Sequence, residues 1–268
     1  MKQVKPKKNL GQHFLTDLDV ARRIADTVDA CPALPILEIG PGMGVLTQYL
    51  VKKDREVKAV EIDSESVAYL NERYPELRDQ IIGEDFLRMD LNKIFDGRQF
   101  VLTGNYPYDI SSQIFFKMLD FKDLIPCCTG MIQREVAQRI ASAPGNKAYG
   151  ILSVMIQAWY DVEYLFTVDE GVFNPPPKVK SAVIRMTRNN VNDLGCDEVL
   201  FKRVVKAVFG QRRKMLRVSL RQLFTPQTMP SPDFFVQDIM TKRPEQLSVQ
   251  QFVELTSMIA NKVNCSAL

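Results

Sequence analysis

Residues 36–44 read ILEIGPGMG, a short apolar run that leads directly into a glycine-rich loop. The apolar run is typical of a buried strand, and the glycines allow the backbone to turn tightly and to approach a ligand closely. Helix character follows in VLTQYLVKK, residues 45–53. The stretch therefore predicts a strand, a ligand-binding loop and a helix, which together form the first unit of an α/β sheet.

The same alternation continues through the first half of the chain. Thr16 or Asp17 can cap a preceding helix, and Ser64 can cap a helix over SESVAYLNERY. Further strands are predicted within residues 56–63, 78–86, 100–105 and 125–133. Strands and helices at this spacing predict a parallel, doubly wound, Rossmann-like sheet with helices on both faces.

The pattern changes after residue 188. Strand-like alternation over residues 181–186 stops, the polar stretch RNNVNDLG follows, and Ser248 can cap a final helix over VQQFVELTSMIANKV. We expect a domain of residues 1–190, which begins with a basic arm over residues 1–15, and a small all-helical domain of residues 191–268. The boundary falls between residues 190 and 195.

Cysteine and histidine usage excludes several classes of protein. The five cysteines at positions 31, 127, 128, 196 and 265 form no C-x-x-C pair, so we expect reduced thiols rather than a disulfide framework. His13 is the only histidine, which disfavours both a zinc site and a Ser-His-Asp centre, so no metal is expected. No apolar run approaches the roughly 18 residues needed to cross a bilayer, which predicts a cytoplasmic protein.

Positive charge is concentrated in two places. Four lysines, among them Lys7 and Lys8, lie within the first eight residues. Residues 201–232 contain no Asp or Glu but eight Lys and Arg, whereas an ordinary solvated helix face mixes the two signs. The block predicts a phosphate-binding surface, for which the candidates are Arg212, Arg213, Lys214 and Arg217.

The glycine loop and the strand ends predict a nucleoside cofactor. Gly40, Gly42 and Gly44 form the loop, and Glu61 follows at the offset of roughly 20 residues at which a carboxylate meets ribose hydroxyls. Asp85, after the third strand, can accept a hydrogen bond from the adenine amine. The G-x-G-x-G spacing departs from the G-x-G-x-x-G of NAD(P) dehydrogenases, and nothing downstream indicates hydride chemistry. S-adenosylmethionine, which has no pyrophosphate, fits better.

The sequence Asn105-Tyr106-Pro107-Tyr108 indicates what receives the methyl group. An exocyclic amine of adenine is a poor nucleophile, and it needs two acceptors that hold its hydrogens and stabilise the developing positive charge. The Asn105 side-chain oxygen can be one, and the carbonyl of Tyr106 or Pro107 the other. Tyr108 offers a face on which a base can stack.

Phe173, in GVFNPPPKVKS, is the candidate for the opposite face of this clamp. The prolines at positions 175–177 stiffen its loop and reduce the entropy lost on closing. Because flipping a base out of a duplex is costly, a loop or single strand of a folded RNA is the expected target.

The motifs together resemble those of the rRNA adenine dimethyltransferases, and most closely the bacterial small-subunit branch. The resemblance runs from about residue 7 to the final helix and is carried, in order, by KKNLGQHFL, LEIGPGMGVLT, VEID, GEDFL, GNYPY, FNPPPKVKSAV and FGQRRKMLR. It implies transfer of two methyl groups from S-adenosylmethionine to each of two adjacent adenosines. These lie in a hairpin loop near the 3′ end of small-subunit rRNA and are modified during ribosome assembly.

The resemblance also implies residue roles. His13, Leu15, Gly40, Glu61, Asp85 and Asn105 would contact the cofactor, and Asn105, Tyr108 and Phe173 would handle the base. Two positions depart from the family: His13 stands where asparagine is usual, and Tyr106 where leucine is frequent. We therefore expect the His13 backbone to be able to serve in place of a side-chain contact, and activity to survive with Tyr106.

Two alternatives follow from the same residues. A large-subunit adenine dimethyltransferase shares the N-terminal motifs, although FGQRRKML favours the small-subunit branch. A catalytically silent RNA-binding assembly factor could use the same fold, although intact Gly40, Glu61, Asp85 and Asn105 argue for activity. Nothing in the sequence requires more than a monomer.

Overall fold

The computed structural model describes Val4, Pro6, Lys7 and residues 12–265, with side chains as far as residue 262. Lys8, predicted to bind phosphate, lies outside these residues. The described chain forms two compact units. The first comprises Met1–Ala137 and Tyr160–Arg188, and the second comprises Gln138–Trp159 and Asn189–Leu268.

The first unit is built on a mixed seven-stranded sheet, counted over the described residues. Five strands are parallel, and their spatial order places the first strand of the sheet at the centre, between the second and the fourth. The parallel strands are β2 Ile36–Ile39, β3 Val57–Val60, β4 Ile81–Ile82, β5 Val101–Asn105 and β6 Cys127–Gln133. The predicted α/β fold is confirmed, and the order 3-2-1-4-5 creates the switch point at which such sheets bind ligands.

The sheet is not purely parallel, which corrects the sequence-based expectation. Strand β9 Ser181–Arg188 pairs antiparallel with β6, and β7 Tyr160–Val168 pairs antiparallel with β9 at the edge. β7 was not predicted from the sequence, because this edge strand exposes most of its side chains and its buried and exposed residues do not alternate regularly. A separate two-stranded ladder joins β1 Phe14–Leu15 to β8 Phe173–Asn174.

Helices cover the sheet of the first unit. They are α1 Leu18–Asp26, α2 Thr47–Leu50, α3 Ser64–Arg73, α4 Ser111–Asp120 and α5 Arg134–Ile140, the last of which ends in the second unit. Asp17 caps α1 by accepting the amides of Asp19 and Val20 at 2.9 and 3.0 Å. The cap of α3 is Asp63, not the predicted Ser64, because Asp63 has the extended backbone of a cap and accepts the Glu65 amide.

One cysteine expectation is wrong. Cys31 and Cys127 form a disulfide with their Cα atoms 5.8 Å apart. The pair is separated by 96 residues, and only the packing of the turn after α1 against the start of β6 brings it together. Cys128 and Cys196 are free thiols.

The second unit is helical, as expected, but it includes a segment that the sequence analysis assigned to the first domain. Gln138–Trp159 belongs to it because Tyr149 is fully buried and its ring packs against Phe209, which in turn packs against Phe252. The helices are α6 Ile151–Gln157, α7 Glu198–Gly210, α8 Leu216–Ser219 and α9 Val249–Cys265.

The final helix of the second unit begins where the sequence predicts. Ser248 caps α9 because its hydroxyl accepts the backbone amide of Gln251 at 3.1 Å. The Gln251 side chain in turn accepts the backbone amide of Ser248, also at 3.1 Å. Between α8 and α9 the chain forms a series of short 3-10 helices. Across the described residues, no helix is both long and apolar enough to span a membrane.

Candidate active site

The parallel register brings the predicted motifs to one level of the sheet. Ile39 of β2 is paired with Val60 of β3 on one side and with Gly104 of β5 on the other. The next residues along these strands are Gly40, Glu61 and Asn105. Three motifs that are far apart in the sequence therefore begin side by side at the carboxyl edge of the sheet.

The backbone of the loop after β2 requires glycine at three positions. All three have positive φ values of 64°, 57° and 78° for Gly40, Gly42 and Gly44, which side-chain-bearing residues rarely adopt. A Cβ at Gly42 would lie 3.1 Å from the Phe14 ring, and one at Gly44 only 2.5 Å from the Tyr74 ring. The Gly42 position is part of the cleft described below, whereas Gly44 packs against Tyr74.

Glu61 is buried, and its carboxylate links the loop after β2 to the loop after β3. Its carboxylate accepts the Gly42 amide at 3.0 Å on Oε2 and the Asp63 amide at 2.9 Å on Oε1. Burial raises the pKa of Glu61, although these backbone hydrogen bonds oppose the rise. Each oxygen retains a second lone pair, so the carboxylate can still receive hydroxyl donors.

Asp85 lies where the sequence predicts, after β4, and is partly exposed. One oxygen accepts the Leu87 amide at 2.9 Å, and the other lies 3.4 Å from Nε of the exposed Arg88. The loop is thus held by a local turn, and the carboxylate remains open to a donor such as an exocyclic amine.

Glu38, within the opening motif, is a buried acid to which the sequence analysis gave no role. It is 1% exposed, and its Oε2 accepts the Thr47 hydroxyl at 2.6 Å. Burial raises its pKa to about 8, with the Thr47 hydrogen bond opposing and the nearby Glu61 adding to the rise. The hydrogen bond joins the end of β2 to the first turn of α2, so it holds the intervening glycine loop at both ends.

A cleft of about 390 Å³ opens beside this loop. The Asn105 amide nitrogen donates to the His13 carbonyl at 3.4 Å. Because a carbonyl only accepts, this contact fixes which end of the amide is nitrogen and leaves Oδ1 as the end that can accept. The lining residues are Gln12, His13, Phe14, Gly42, Asn105, Tyr106, Pro107 and Tyr108.

Of the two backbone acceptors left open by the sequence, one is already engaged. The Pro107 carbonyl accepts the Ile110 amide at 3.3 Å in the turn that leads to α4. The Tyr106 amide donates to the Met131 carbonyl at 3.0 Å, which ties the turn to β6. This arrangement favours the Tyr106 carbonyl as the second acceptor, which would act together with Asn105 Oδ1.

The Tyr106 side chain fills the interior and does not form a wall of the cleft with its ring. It is 1% exposed, its hydroxyl donates to the Thr129 carbonyl at 3.0 Å, and its ring meets Phe115 edge-on at 5.5 Å. A Cβ on Gly130 would lie 2.7 Å from this ring. The bulk that Tyr106 adds relative to leucine is therefore accommodated by the glycine on the neighbouring strand.

Tyr108 is held by a residue that the sequence analysis quoted only as part of a motif. Its hydroxyl forms a hydrogen bond with Ser181, a fully buried residue at the start of β9. Burial raises the pKa of Tyr108, with the Ser181 bond opposing. The ring is therefore anchored at its far end, which restricts the angle at which a base can stack on it.

Two predicted contacts are not brought into the cleft. Phe173 is 4% exposed and packs in the hydrophobic core with Leu15, which is 3% exposed and is its partner in the β1–β8 ladder. The apolar surface that both bury accounts for this placement. Phe173 would have to leave the core to stack on a base, and Leu15 can reach a ligand only through its backbone.

Lys7 is committed to the protein itself. Its Nζ lies 2.5 Å from Asp63 Oδ1 and 3.1 Å from Glu65 Oε1, and Gln12 Nε2 approaches Asp63 Oδ2 at 3.5 Å. Burial alone would raise the pKa of Asp63, but the hydrogen bonds from Lys7 and its other donors lower it. In this structure Lys7 is thus held beside the start of α3 by two carboxylates, and its contact with phosphate stays a prediction.

The basic block of the second unit divides into two kinds of residue. Arg212 donates to the Lys147 carbonyl at 2.6 Å and lies 4.0 Å from Glu245, so it stabilises its own unit. Arg213, Lys214 and Arg217 are exposed. These three remain the candidates for a phosphate-binding surface.

The residues present fit S-adenosylmethionine. Gly42 lines the cleft with a φ of 57° that suits glycine, and buried Glu61 and partly exposed Asp85 lie just beyond the ends of adjacent strands. Within the described residues, no group of three or more His, Cys, Asp and Glu side chains could hold a metal ion.

Comparison with known proteins agrees with this geometry. The family model "Ribosomal RNA adenine dimethylase" matches residues 3–261. The chain is 68% identical over 256 residues to "Ribosomal RNA small subunit methyltransferase A" of Phocaeicola vulgatus, covering 96% of this chain and 90% of the relative. It is 59% identical over 261 residues to the protein of that name from Porphyromonas gingivalis, covering 97% and 99%.

Solved structures share the fold. A dimethyladenosine transferase from Plasmodium falciparum superposes with a TM-score of 0.76 at 22% identity, covering 96% of this chain and 99% of that one. The 23S rRNA methyltransferase ErmE superposes with a TM-score of 0.65 at 26% identity, covering 91% and 99%. The match of the family model to nearly the whole chain establishes that this protein belongs to the ribosomal RNA adenine dimethylase family.

Proposed function

We propose that this protein transfers methyl groups from S-adenosylmethionine to the exocyclic amines of two adjacent adenosines in a 3′-terminal hairpin loop of small-subunit rRNA. The products are dimethyladenosines, formed during assembly of the 30S subunit in the cytoplasm by a monomeric enzyme. The observation that carries the proposal is the alignment of Gly40, Glu61 and Asn105 at one level of the sheet. Relatives named small-subunit methyltransferases, 68% identical over nearly the whole chain, support the choice of RNA.

The residues of the site have separate roles in this reaction. S-adenosylmethionine supplies a methyl group bound to a sulfonium, with a neutral thioether as leaving group. Glu61 accepts the ribose hydroxyls, Asp85 accepts the adenine amine, and the glycine loop admits the rest of the molecule. The Asn105 Nδ2 bond to His13 leaves Oδ1 to accept one hydrogen of the target amine.

The Tyr106 carbonyl accepts the second amine hydrogen. Two acceptors direct the nitrogen lone pair toward the methyl group and stabilise the positive charge that develops on nitrogen. No strong base is needed, because the methylated ammonium loses its proton to water. Tyr108, anchored through Ser181, supports the base by stacking, which is worth roughly 1–3 kcal/mol per base.

The deciding experiment is transfer of tritiated methyl groups to 30S subunits from a strain that lacks the modification, followed by nucleoside analysis. We expect dimethyladenosine at about four methyl groups per particle, because flipped single-stranded bases at two sites each take two. Transfer to 50S subunits alone would replace the proposal with the large-subunit reaction, which the similarity to ErmE makes the second candidate. Absence of S-adenosylmethionine binding by calorimetry would favour the silent assembly factor.

A further inference from the structure

The imidazole of His13 is tied to two other parts of the site. Its Nδ1 lies 2.8 Å from the Pro175 carbonyl oxygen, and its ring faces the Tyr108 ring with centroids 5.7 Å apart and planes inclined by 28°. The His13 backbone carbonyl also receives the Asn105 amide. One residue thus contacts the methyl-acceptor motif and the proline-rich loop together.

The β1–β8 ladder fixes the position of this ring. Phe14 is paired with Asn174 in antiparallel register, so His13 and Pro175 occupy the next rung. Since the Pro175 carbonyl can only accept, Nδ1 must carry the hydrogen, and in the neutral ring Nε2 then holds the lone pair. The ladder, the Nδ1 hydrogen bond to Pro175 and the hydrogen bond from Asn105 to the His13 carbonyl thus place the His13 ring at the edge of the cleft.

We propose that His13 forms the wall of the target-base pocket opposite Tyr108, so that the adenine is held between these two rings. Insertion of a base needs two van der Waals spacings, about 7 Å in all, so the rings must separate by roughly 1 Å. His13 directly precedes the β1–β8 ladder, whereas Tyr108 follows β5 of the main sheet, so the two rings belong to different elements and the proposal requires only this small separation between them.

This inference rests on the proposed function and deepens it. It assigns the His13 side chain to the RNA rather than to the cofactor, and it gives His13 the clamping role that the sequence assigned to Phe173. Phe173 sits in the same ladder but is buried in the core, whereas the His13 ring lines the cleft.

Kinetics with 30S subunits as substrate provide the first test. For His13→Ala we expect the KM for 30S subunits to rise about tenfold, with the Kd for S-adenosylmethionine changed by less than about twofold. His13→Phe keeps a ring without the Nδ1 donor and should recover most of the loss. His13→Asn keeps a donor without a ring and should recover less. Full recovery by His13→Asn, or a loss confined to cofactor affinity, would overturn the proposal.

Phe173→Leu provides the contrast between the two candidate rings. We expect it to lower the melting temperature while the KM for 30S subunits stays close to that of the wild type. A raised KM for Phe173→Leu together with an unchanged KM for His13→Ala would return the clamping role to Phe173.

Because His13 is the only histidine, it also provides a direct spectroscopic test. In the tag-free full chain labelled with ¹⁵N-histidine, the free protein should show a protonated Nδ1. Adding the target hairpin RNA, with S-adenosylhomocysteine present, should shift the ring signals. Shifts caused by S-adenosylhomocysteine alone, with none on RNA addition, would refute the assignment. Failure of the wild type to methylate any ribosomal subunit would instead refute the proposed function. The two failures can be told apart, because the NMR experiment measures binding and does not depend on turnover.

Discussion

The Gly42 amide donates to the Glu61 carboxylate at 3.0 Å, across the gap between the loops that follow two adjacent parallel strands. The second oxygen of the same carboxylate receives the Asp63 amide. One buried side chain therefore sets the position of the glycine loop and that of the start of α3. A residue expected only to bind ribose also organises the site before any ligand arrives.

Replacing Glu61 with glutamine should weaken cofactor binding. Glutamine has one acceptor oxygen, so one of the two backbone amides loses its partner and the ribose hydroxyls lose an acceptor. The unpaired amide lowers stability, whereas a ribose hydroxyl left without an acceptor costs about 1–3 kcal/mol of binding, so we expect the Kd for S-adenosylmethionine to rise by about 5- to 150-fold, measured by titration calorimetry. Glu72→Gln, on the exposed face of α3, is the matched control. Equal affinity for wild type and Glu61→Gln would exclude the proposed role.

Asn105→Ala should abolish methyl transfer while leaving RNA affinity nearly unchanged. The substitution removes the Oδ1 acceptor, which acts on the amine as charge develops, and such groups contribute about 10²–10³ in rate. Single-turnover methylation and filter binding measure the two quantities separately. Asn92→Ala, at an exposed position away from the cleft, serves as the control. Parallel losses of rate and RNA affinity would contradict the assigned role.

Tyr106→Phe should cost stability more than activity. The lost hydroxyl bonds to the buried Thr129 carbonyl, so we expect about 1 kcal/mol of destabilisation in urea unfolding. The backbone carbonyl is retained, and methyl transfer should persist. Tyr164→Phe removes a similar hydroxyl bond at a position 37% exposed and should have a smaller effect. Loss of methyl transfer by folded Tyr106→Phe would show that the side chain takes part in the reaction.

Burial of Glu38 should make stability depend on pH. Burial raises its pKa from an ordinary value of 4.5 to about 8, so between these values the folded chain holds a proton that the unfolded chain releases. The free energy of unfolding should therefore fall as pH rises through this window, by roughly 1 kcal/mol per unit. Glu61, whose pKa is also raised, contributes with the same sign.

Glu38→Gln should flatten this dependence, since glutamine does not titrate and can still accept the Thr47 hydroxyl. Urea unfolding at several values between pH 5 and 8 measures the slope. The exposed Glu72→Gln should leave the slope as it is in the wild type. Parallel profiles for wild type and Glu38→Gln would show that Glu38 does not titrate in this window.

The exposed part of the basic block should contribute to RNA binding in proportion to its charge. Neutralising Arg213, Lys214 and Arg217 to glutamine should weaken binding and reduce the salt slope by about 0.7–0.9 per phosphate contact removed. Arg212→Gln should instead lower the melting temperature, because Arg212 bonds within its own unit. Arg78→Gln, an exposed arginine of the first unit, is the control. An unchanged salt slope in the triple variant would remove this surface from the binding site.

The sequence alone determined the α/β class and the location of most site residues. Short apolar runs followed by glycine, carboxylate or Asn-Tyr-Pro-Tyr are local signals, and parallel strands necessarily place their carboxyl ends at one edge. Gly40, Glu61, Asp85 and Asn105 were found in this way, since each lies at the carboxyl end of a strand or within three residues of it. Asp17 and Ser248 were also recognisable, because capping depends on residues only a few positions away.

Only the tertiary structure decided which side chains are buried in the core, which line the cleft and which pair with residues far away in the sequence. Phe173 is an aromatic residue in a stiff loop, and nothing local distinguishes a ring over a base from a ring in the core. The pairing of Cys31 with Cys127, the anchoring of Tyr108 by Ser181 and the contact of Lys7 with Asp63 join residues 96, 73 and 56 positions apart. Such contacts depend on how elements pack, which a local pattern does not encode, whereas the strand-end motifs depend only on the direction of the chain.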